Sequence, residues 1–513
     1  MINYNHSYIE MNKRILYCLL LLFLFCCQKK ETLFVKLDSE NTNITFKNQL
    51  QENERFNIIE YLYYYNGGGV AVGDINNDGL VDIYFSSNQN KNKLYLNKGD
   101  FQFKDISLSA GVESNGEWKT GVNFIDINND GYLDIYQTRL GRYKNIVGKN
   151  ELFINNGDLT FSEKASDFGL DFEGFSTHAA FFDYDNDDDL DMYLLNHSVH
   201  TERSYGNYKL RFERDDKSGD KLYRNDIKNG QPYFVDVSEE SGILGSNIGY
   251  GLGISISDIN KDGCDDIYIS NDFRENDYLY INNCDGTFIE SLEEYINHTS
   301  RFSMGNDISD INNDLFPDIF VLDMLPEDEK VLKNSVGEDS YEIFKLKLNY
   351  GFNKQFSRNT LQLNNRNNTF SEVAQLLNIH ATDWSWSTLI EDFDLDGNND
   401  IFITNGIVKR PNDMDYINFL SNENLKGGLV QNPNLKNSEL TNEMPDGKVA
   451  NYAYKNNSNL SFKNVSKDWG LDYKGYSNGA TYADLDNDGD NDLIVNNLND
   501  EAHIYKNMTL EKS

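Results

Sequence analysis

The stretch Asp484-Leu485-Asp486-Asn487-Asp488-Gly489-Asp490-Asn491-Asp492 decides how the rest of the chain is read. Acidic side chains stand at positions 1, 3, 5 and 9, with glycine at 6. Oxygen at every second position, followed by a residue that permits a sharp turn, is how a short loop wraps a hard cation such as Ca²⁺. An EF-hand closes at position 12, whereas this loop closes at 9 and runs directly into Leu493-Ile494-Val495, a strand-like run.

The pattern recurs six times upstream. Asp74, Asn76, Asp78 and Asp82 form the first loop, and Asp126, Asn128, Asp130 and Asp134 the second. Asp183, Asp185, Asp187 and Asp191 form the third, with Asp188 in the glycine position. The fourth has Asp258, Asn260, Asp262 and Asp266; the fifth has Asp310, Asn312, Asp314 and Asp318, with Leu315 in the glycine position. The sixth has Asp392, Asp394, Asp396 and Asp400, and Asp484, Asp486, Asp488 and Asp492 complete the set. A solvated acidic face explains clustered aspartates but not their recurrence in register with strands. The alternative for the metal is an Asx-rich turn that holds no ion. Asp tolerates a left-handed backbone, whereas Leu315 is strained there, so loops 183–191 and 310–318 are the weaker of up to seven Ca²⁺ sites.

Around each loop lies a larger unit. A small-residue strand precedes it, as in Gly67-Gly68-Gly69-Val70-Ala71-Val72-Gly73. An apolar strand follows (Ile83-Tyr84-Phe85), then a strand of the type Leu94-Tyr95-Leu96-Asn97, and then one of the type Phe103-Lys104-Asp105-Ile106 ahead of Gly111-Val112. Four strands in each of seven units predict an all-β, seven-bladed β-propeller. The seventh unit has its third strand at Ala502–Asn507 and no fourth after it, while Asn43–Asn48 matches the fourth-strand pattern. An N-terminal strand is therefore expected to complete the last blade, closing the ring and removing sheet edges.

The loops and the LYLN/F-x-D-I pattern resemble the FG-GAP/VCBS repeat family, whose integrin relatives form seven-bladed propellers with calcium in such loops. The resemblance covers about residues 41–508 and is nearest the bacterial lipoprotein branch that often carries a C-terminal ASPIC/UnbV domain, which is not found here. The Phe-Gly and Gly-Ala-Pro signature is poorly kept, which favours the VCBS type. Membership implies a calcium-stabilised recognition scaffold rather than a defined reaction.

Composition agrees. Six prolines and 13% aromatic residues in 513 suit many short strands. A net charge of −37 opposes a nucleic-acid partner. Twenty-four aspartates fill positions 1, 3, 5 and 9 of the loops, so seven Ca²⁺ ions would bring −37 to −23.

At the N-terminus, Lys13-Arg14, an apolar run over 15–25 and Cys26-Cys27 read as an export signal with a lipobox-like end. Met11 reads as the start and Cys27 as the lipidated residue; an ordinary signal peptide cut nearby is the alternative. The divisions expected are a signal peptide over 1–27, a linker over 28–42, the propeller over 43–508 and a tail over 509–513. The only membrane contact expected is the lipid anchor, on the outer-membrane, cell-surface or periplasmic side.

Loop-start spacings of 52, 57, 75, 52, 82 and 92 residues place insertions at 197–220, 324–358 and 405–450, on the end of the ring opposite the acidic loops. That end is expected to gather Trp118, Thr177, His178, Arg301, Phe302, Trp384 and Trp386 near the axis, with His197, His200, Arg274 and Arg410 around them. Such residues suit a ligand site; Trp384 and Trp386 packing beneath the insertions is the bland reading. His178, His197 and His200 are a possible transition-metal set, against the commoner reading of plain surface or core histidines. Cys264 and Cys284 flank one hairpin and are a possible disulfide in an exported protein, or both are free.

No nucleophile elbow, phosphate loop or nucleotide fingerprint occurs. The leading functional reading is a non-enzymatic binding or adhesion scaffold for a protein or glycan. A polysaccharide lyase or hydrolase, separable by activity assays, and a structural calcium-dependent surface element, separable by cell aggregation, are the alternatives.

Overall fold

The structure is a computed structural model, and it describes residues 32–144, 146–199, 205–228, 230–421 and 437–512. The expected export signal with Cys27, and His200, lie outside these residues.

Seven four-stranded antiparallel sheets form the propeller. Blade 1 runs Val70–Gly73, Asp82–Phe85, Lys93–Asn97 and Phe103–Asp105 from the axis outward. The innermost strands of successive blades touch one another around the axis, and Ser477–Ala483 of blade 7 returns to Val70–Gly73 of blade 1. Small residues are required there by close approach. A Cβ on Gly121 would lie 2.5 Å from His178 Nδ1 and 2.7 Å from the Thr177 carbonyl oxygen. Each second strand is buried along its whole length, and apolar side chains from adjacent blades fill the space between sheets, such as Tyr84 and Leu94 of blade 1 with Ile135 and Phe153 of blade 2.

An N-terminal strand does complete blade 7, but it lies earlier than expected. Phe34–Lys36 pairs antiparallel with His503–Asn507, with Val35 opposite Lys506. This corrects the assignment of Asn43–Asn48 and puts a strand inside the stretch read as a linker. Both stretches alternate apolar and polar residues, and their cores distinguish them. Phe34 packs with Phe393, Trp469 and Tyr505 between blades 6 and 7. Ile44 and Phe46 insert between blades 7 and 1, where Phe46 stacks on Phe85 at 4.8 Å. The Phe46 carbonyl accepts the Ala502 N–H at 2.9 Å, and Lys47 and Asn48 make isolated bridges to Glu501 and Leu498, as the chain crosses the blade rather than extending it.

The insertions fall between second and third strands. They carry a 3₁₀ helix at Tyr205–Phe212, α-helices at Tyr341–Asn349 and Met414–Ser421, and the strand Gln355–Phe356, which pairs in parallel with Thr299–Ser300 ahead of blade 5. Cys264 and Cys284 are joined in a disulfide, with Cα atoms 5.8 Å apart. No helix among the described residues is long and apolar enough to cross a membrane.

Candidate functional site: seven acidic loops and a plugged axis

All seven acidic loops share one backbone, set by two left-handed residues at positions 4 and 6. In the first these are Asn77 (φ 58°) and Gly79 (φ 85°). Asp188 and Leu315 adopt the same conformation at φ 70° and 71°, so the missing glycines leave the turn intact and place the strain on an exposed leucine. The first aspartate organises the turn. Asp74 accepts the N–H of Asp78 at 3.2 Å and of Gly79 at 2.7 Å, and Asp310 accepts the N–H of Asp314 at 2.9 Å and of Leu315 at 2.6 Å.

The ninth aspartate ties the loop to the sheet. Asp82 Oδ2 accepts the Ile75 N–H at 3.1 Å, and Oδ1 accepts the Asn97 N–H at 2.7 Å. Burial pushes this carboxyl up, to about 7 for Asp82, Asp134, Asp266 and Asp318 and to about 8 for Asp191, Asp400 and Asp492, while the backbone donors pull it down.

The donor set fits a divalent cation. Carboxylate oxygens of Asp183, Asp185 and Asp191, of Asp392, Asp394 and Asp400, and of Asp484, Asp486 and Asp488 converge within 4.8 Å. Buried oxygens without a hydrogen-bond partner include Asp185 Oδ1, Asn312 Oδ1, Asp394 Oδ1 and Asp486 Oδ1, all at position 3. Positions 1, 3, 5 and 9 would hold the ion, and all-oxygen ligation favours Ca²⁺ or another hard cation.

Sequence reading missed the role of the third-strand asparagine, which ends that strand in six of the seven blades. Asn97 Nδ2 donates to the Val81 carbonyl at 3.0 Å and to the Leu485 carbonyl of blade 7 at 2.8 Å. Asn155, Asn282, Asn364, Asn456 and Asn507 reach the preceding blade's loop in the same way. The acidic loops are thus linked blade to blade around one end of the ring, except between blades 2 and 3, where Asn225 donates to Leu190 of its own blade. The signal was present as an invariant Asn in a strand of otherwise apolar and aromatic residues.

The opposite end is closed by a segment that the sequence reading passed over. Residues 50–65 fold across the axis and bury Leu50, Phe56, Ile58, Tyr61, Tyr63, Tyr64 and Tyr65 against side chains from most blades. Trp118 is 1% exposed, with its ring 4.4 Å from Phe56, and Trp384 is 7% exposed beneath the same cap. These two tryptophans therefore belong to the plug's core rather than to an open face. Trp386, half-buried, donates to the Gly406 carbonyl at 2.7 Å. Charged ties fasten the plug: Lys409 with Glu52 at 2.8 Å, and Lys144 with Glu60.

Under the plug lies an axial cavity of about 270 Å³, lined by Tyr61, Tyr63, His178, His197 and the small residues of the inner strands. Burial holds His178 and His197 down at about 4, so both are neutral at pH 7. His197 Nδ1 donates to the Ser198 carbonyl at 2.9 Å, leaving Nε2 to accept from Tyr61 Oη at 2.8 Å. Among the described residues, no group suited to a metal contains a histidine. Arg410 is buried against Asp383 at 2.6 Å.

Beside the plug, a second hollow of about 370 Å³ is lined by Ile58, Tyr61, Tyr63, Tyr143, Tyr250, Phe273, Arg274, Arg301 and Phe302. The Arg301 guanidinium lies 4.8 Å from the Phe302 ring centre and pairs with Asp339 at 2.9 Å. Of the expected ligand-face residues, Arg301, Phe302 and Arg274 converge here; His178 is in the axial cavity with Thr177 and Trp386.

Comparison with known proteins agrees with this architecture. The model of the FG-GAP-like repeat matches residues 74–136 and 258–321, which carry the acidic loops of blades 1, 2, 4 and 5. Cartilage acidic protein 1 of Xenopus tropicalis is 35% identical over 137 residues, covering 26% of this chain and 20% of that protein. Its human counterpart is 32% identical over 137 residues, with the same shares covered. Integrin alpha-8 of Gallus gallus is 30% identical over 142 residues, 22% of this chain and 14% of that protein. The matched part thus spans about a fifth or less of the curated relatives.

Proposed function

The chain is an FG-GAP repeat propeller, and from that premise we propose that it is an exported, calcium-stabilised binding scaffold that takes a protein or glycan partner at the plugged end of the ring. The observation that carries the reading is the asymmetry between the ends. One end repeats a hard-cation loop seven times, whereas the other gathers aromatic rings and two arginines around a hollow of about 370 Å³. Aromatic faces and guanidinium groups recognise sugars and protein side chains alike. Likeness to an integrin alpha subunit and to cartilage acidic proteins supports binding over catalysis. The Cys264–Cys284 bond and the lipobox-like leader support export, since such bonds persist in oxidising compartments. Lipidation at Cys27 would tether the ring at the blade 7 edge, because only six residues separate Cys27 from Phe34.

The test is capture of candidate glycans and surface proteins by the full chain and by its Arg301→Ala and Phe273→Ala variants. The reading expects a ligand whose capture falls at least about tenfold in both variants, with folding intact. A ligand captured equally by both would move the site elsewhere.

A further inference from the structure

The seven loops fall into two chemical types, and a residue outside the loop changes with them. Position 3 is asparagine in blades 1, 2, 4 and 5 and aspartate in blades 3, 6 and 7. The residue before the third-strand asparagine is Leu96, Ile154, Ile281 or Leu363 in the first group, and Arg224, Lys455 or Lys506 in the second. Aspartate in the loop and a cation on the strand always occur together.

Geometry explains the pairing. In blades 1, 2 and 4 the position-3 amide donates to the position-5 carboxylate: Asn76 to Asp78 at 3.0 Å, Asn128 to Asp130 at 3.0 Å and Asn260 to Asp262 at 2.8 Å. Aspartate has no donor, so two carboxylates would face each other without relief. The Lys455 ammonium bridges Asp394 and Asp396, the latter at 2.8 Å. Lys506 bridges Asp486 and Asp488, the latter at 3.2 Å, and also meets Glu511 at 2.6 Å. Blade 3 has Arg224 at the same place, turned toward Asp226 at 3.0 Å. Each lysine offsets the added aspartate, so the four ligand positions and the lysine together carry the same net charge as an Asn-type loop.

Blade 6 supplies an independent sign that positive charge is called for at this site. Asp400 is fully buried, and its Oδ2 lacks the position-2 N–H that the ninth aspartate accepts in the other loops, because Phe393 N–H goes to the Glu391 carbonyl at 3.0 Å instead. That carboxylate belongs to the convergent group with Asp392 and Asp394, where Lys455 is the neighbouring positive charge.

We propose that Lys455 and Lys506 are resident counter-ions of the blade 6 and 7 loops, keeping both closed without a divalent cation and lowering their affinity for one. Lys506 sits on the strand that receives Phe34–Lys36, so the seam where the ring closes would be held without metal while the Asn-type loops depend on it. The inference rests on the calcium reading of those Asn-type loops.

The experiment uses the full chain stripped by chelator and titrated with Ca²⁺, with bound ions counted by native mass spectrometry and thermal melts recorded in EDTA. The Lys455→Met/Lys506→Met pair should melt below wild type in EDTA, recover in calcium, and bind two further ions at least about tenfold more tightly than wild type does at those loops. The corresponding Lys→Arg pair, which keeps both charges, should follow wild type. An unchanged EDTA melt and unchanged ion count in the methionine pair would overturn the proposal while leaving the calcium reading intact. Wild type without bound calcium, beside a methionine pair that binds two ions, would overturn the calcium reading of the Asn-type loops and support the lysine role. Absence of binding in both, with equal melts, would overturn both. Should the methionine pair not fold, Asn76→Asp/Leu96→Lys in blade 1 tests the same claim: the graft should lose the tight ion of loop 1 yet keep its EDTA melt, and retention of that ion would overturn it.

Discussion

The two ends of this ring are built by opposite means. At one end a single nine-residue device is repeated seven times, and six of the copies are tied to the preceding blade's loop by a third-strand asparagine. At the other, one unrepeated segment of aromatic residues is laid across the axis and touches most blades at once. The first end is held by charge and hydrogen bonds and the second by buried apolar surface. Conditions that weaken one should therefore leave the other largely untouched.

The sharpest way to break that contrast is at the plug. Phe56 packs against Tyr61, Tyr64 and Trp118. Phe56→Ala should cost about 3–5 kcal/mol in chemical denaturation, with the calcium count unchanged. Next in size is the blade link. Asn97→Ala leaves the buried Leu485 and Val81 carbonyls without their donor and should cost about 2–3 kcal/mol. It acts between blades 7 and 1, so hydrogen exchange should speed there first.

A smaller effect comes from proton linkage. The ninth aspartates have folded pKa values near 7 or 8, above the ordinary carboxylate range, so the native state binds more protons than the unfolded chain in that window. Stability in EDTA should therefore fall as pH rises from about 6.5 to 8, and calcium should flatten or reverse the trend by competing with protons for the same oxygens. The depressed His178 and His197 have the opposite sign and act between about 4 and 6.5, where they oppose the aspartates, so the aspartate trend stands clear of them only above about 6.5. Least of all, Leu315→Gly should raise stability by about 1 kcal/mol, since an exposed leucine at φ 71° loses no packing when removed.

The same contrast explains what could be read from sequence. Seven copies of a loop in register with strands make the propeller, its blade boundaries and the acidic loops legible, because repetition lets one pattern check another. The plug has no second copy. Tyr61-Leu62-Tyr63-Tyr64-Tyr65 matches neither strand nor turn, and its partners, such as Trp118 and Trp384, are far away in sequence. Those tryptophans read as a ligand face because nothing local shows that residues 50–65 cover them. From sequence the closing strand reads as 43–48 rather than 34–36 for a related reason. A three-residue strand carries too little alternation to outweigh Ile44-Thr45-Phe46, and only the neighbouring core of Phe393 and Trp469 selects Phe34.

The central claim is that calcium in the acidic loops holds the repeated end of the ring together. It is tested most directly by thermal melts of the chelated full chain at pH 7.5, in EDTA and in millimolar calcium. The account predicts that calcium raises the melting temperature by about 10 °C or more, since several ions bind the folded loops and not the unfolded chain. Superimposable melts in EDTA and calcium would contradict it.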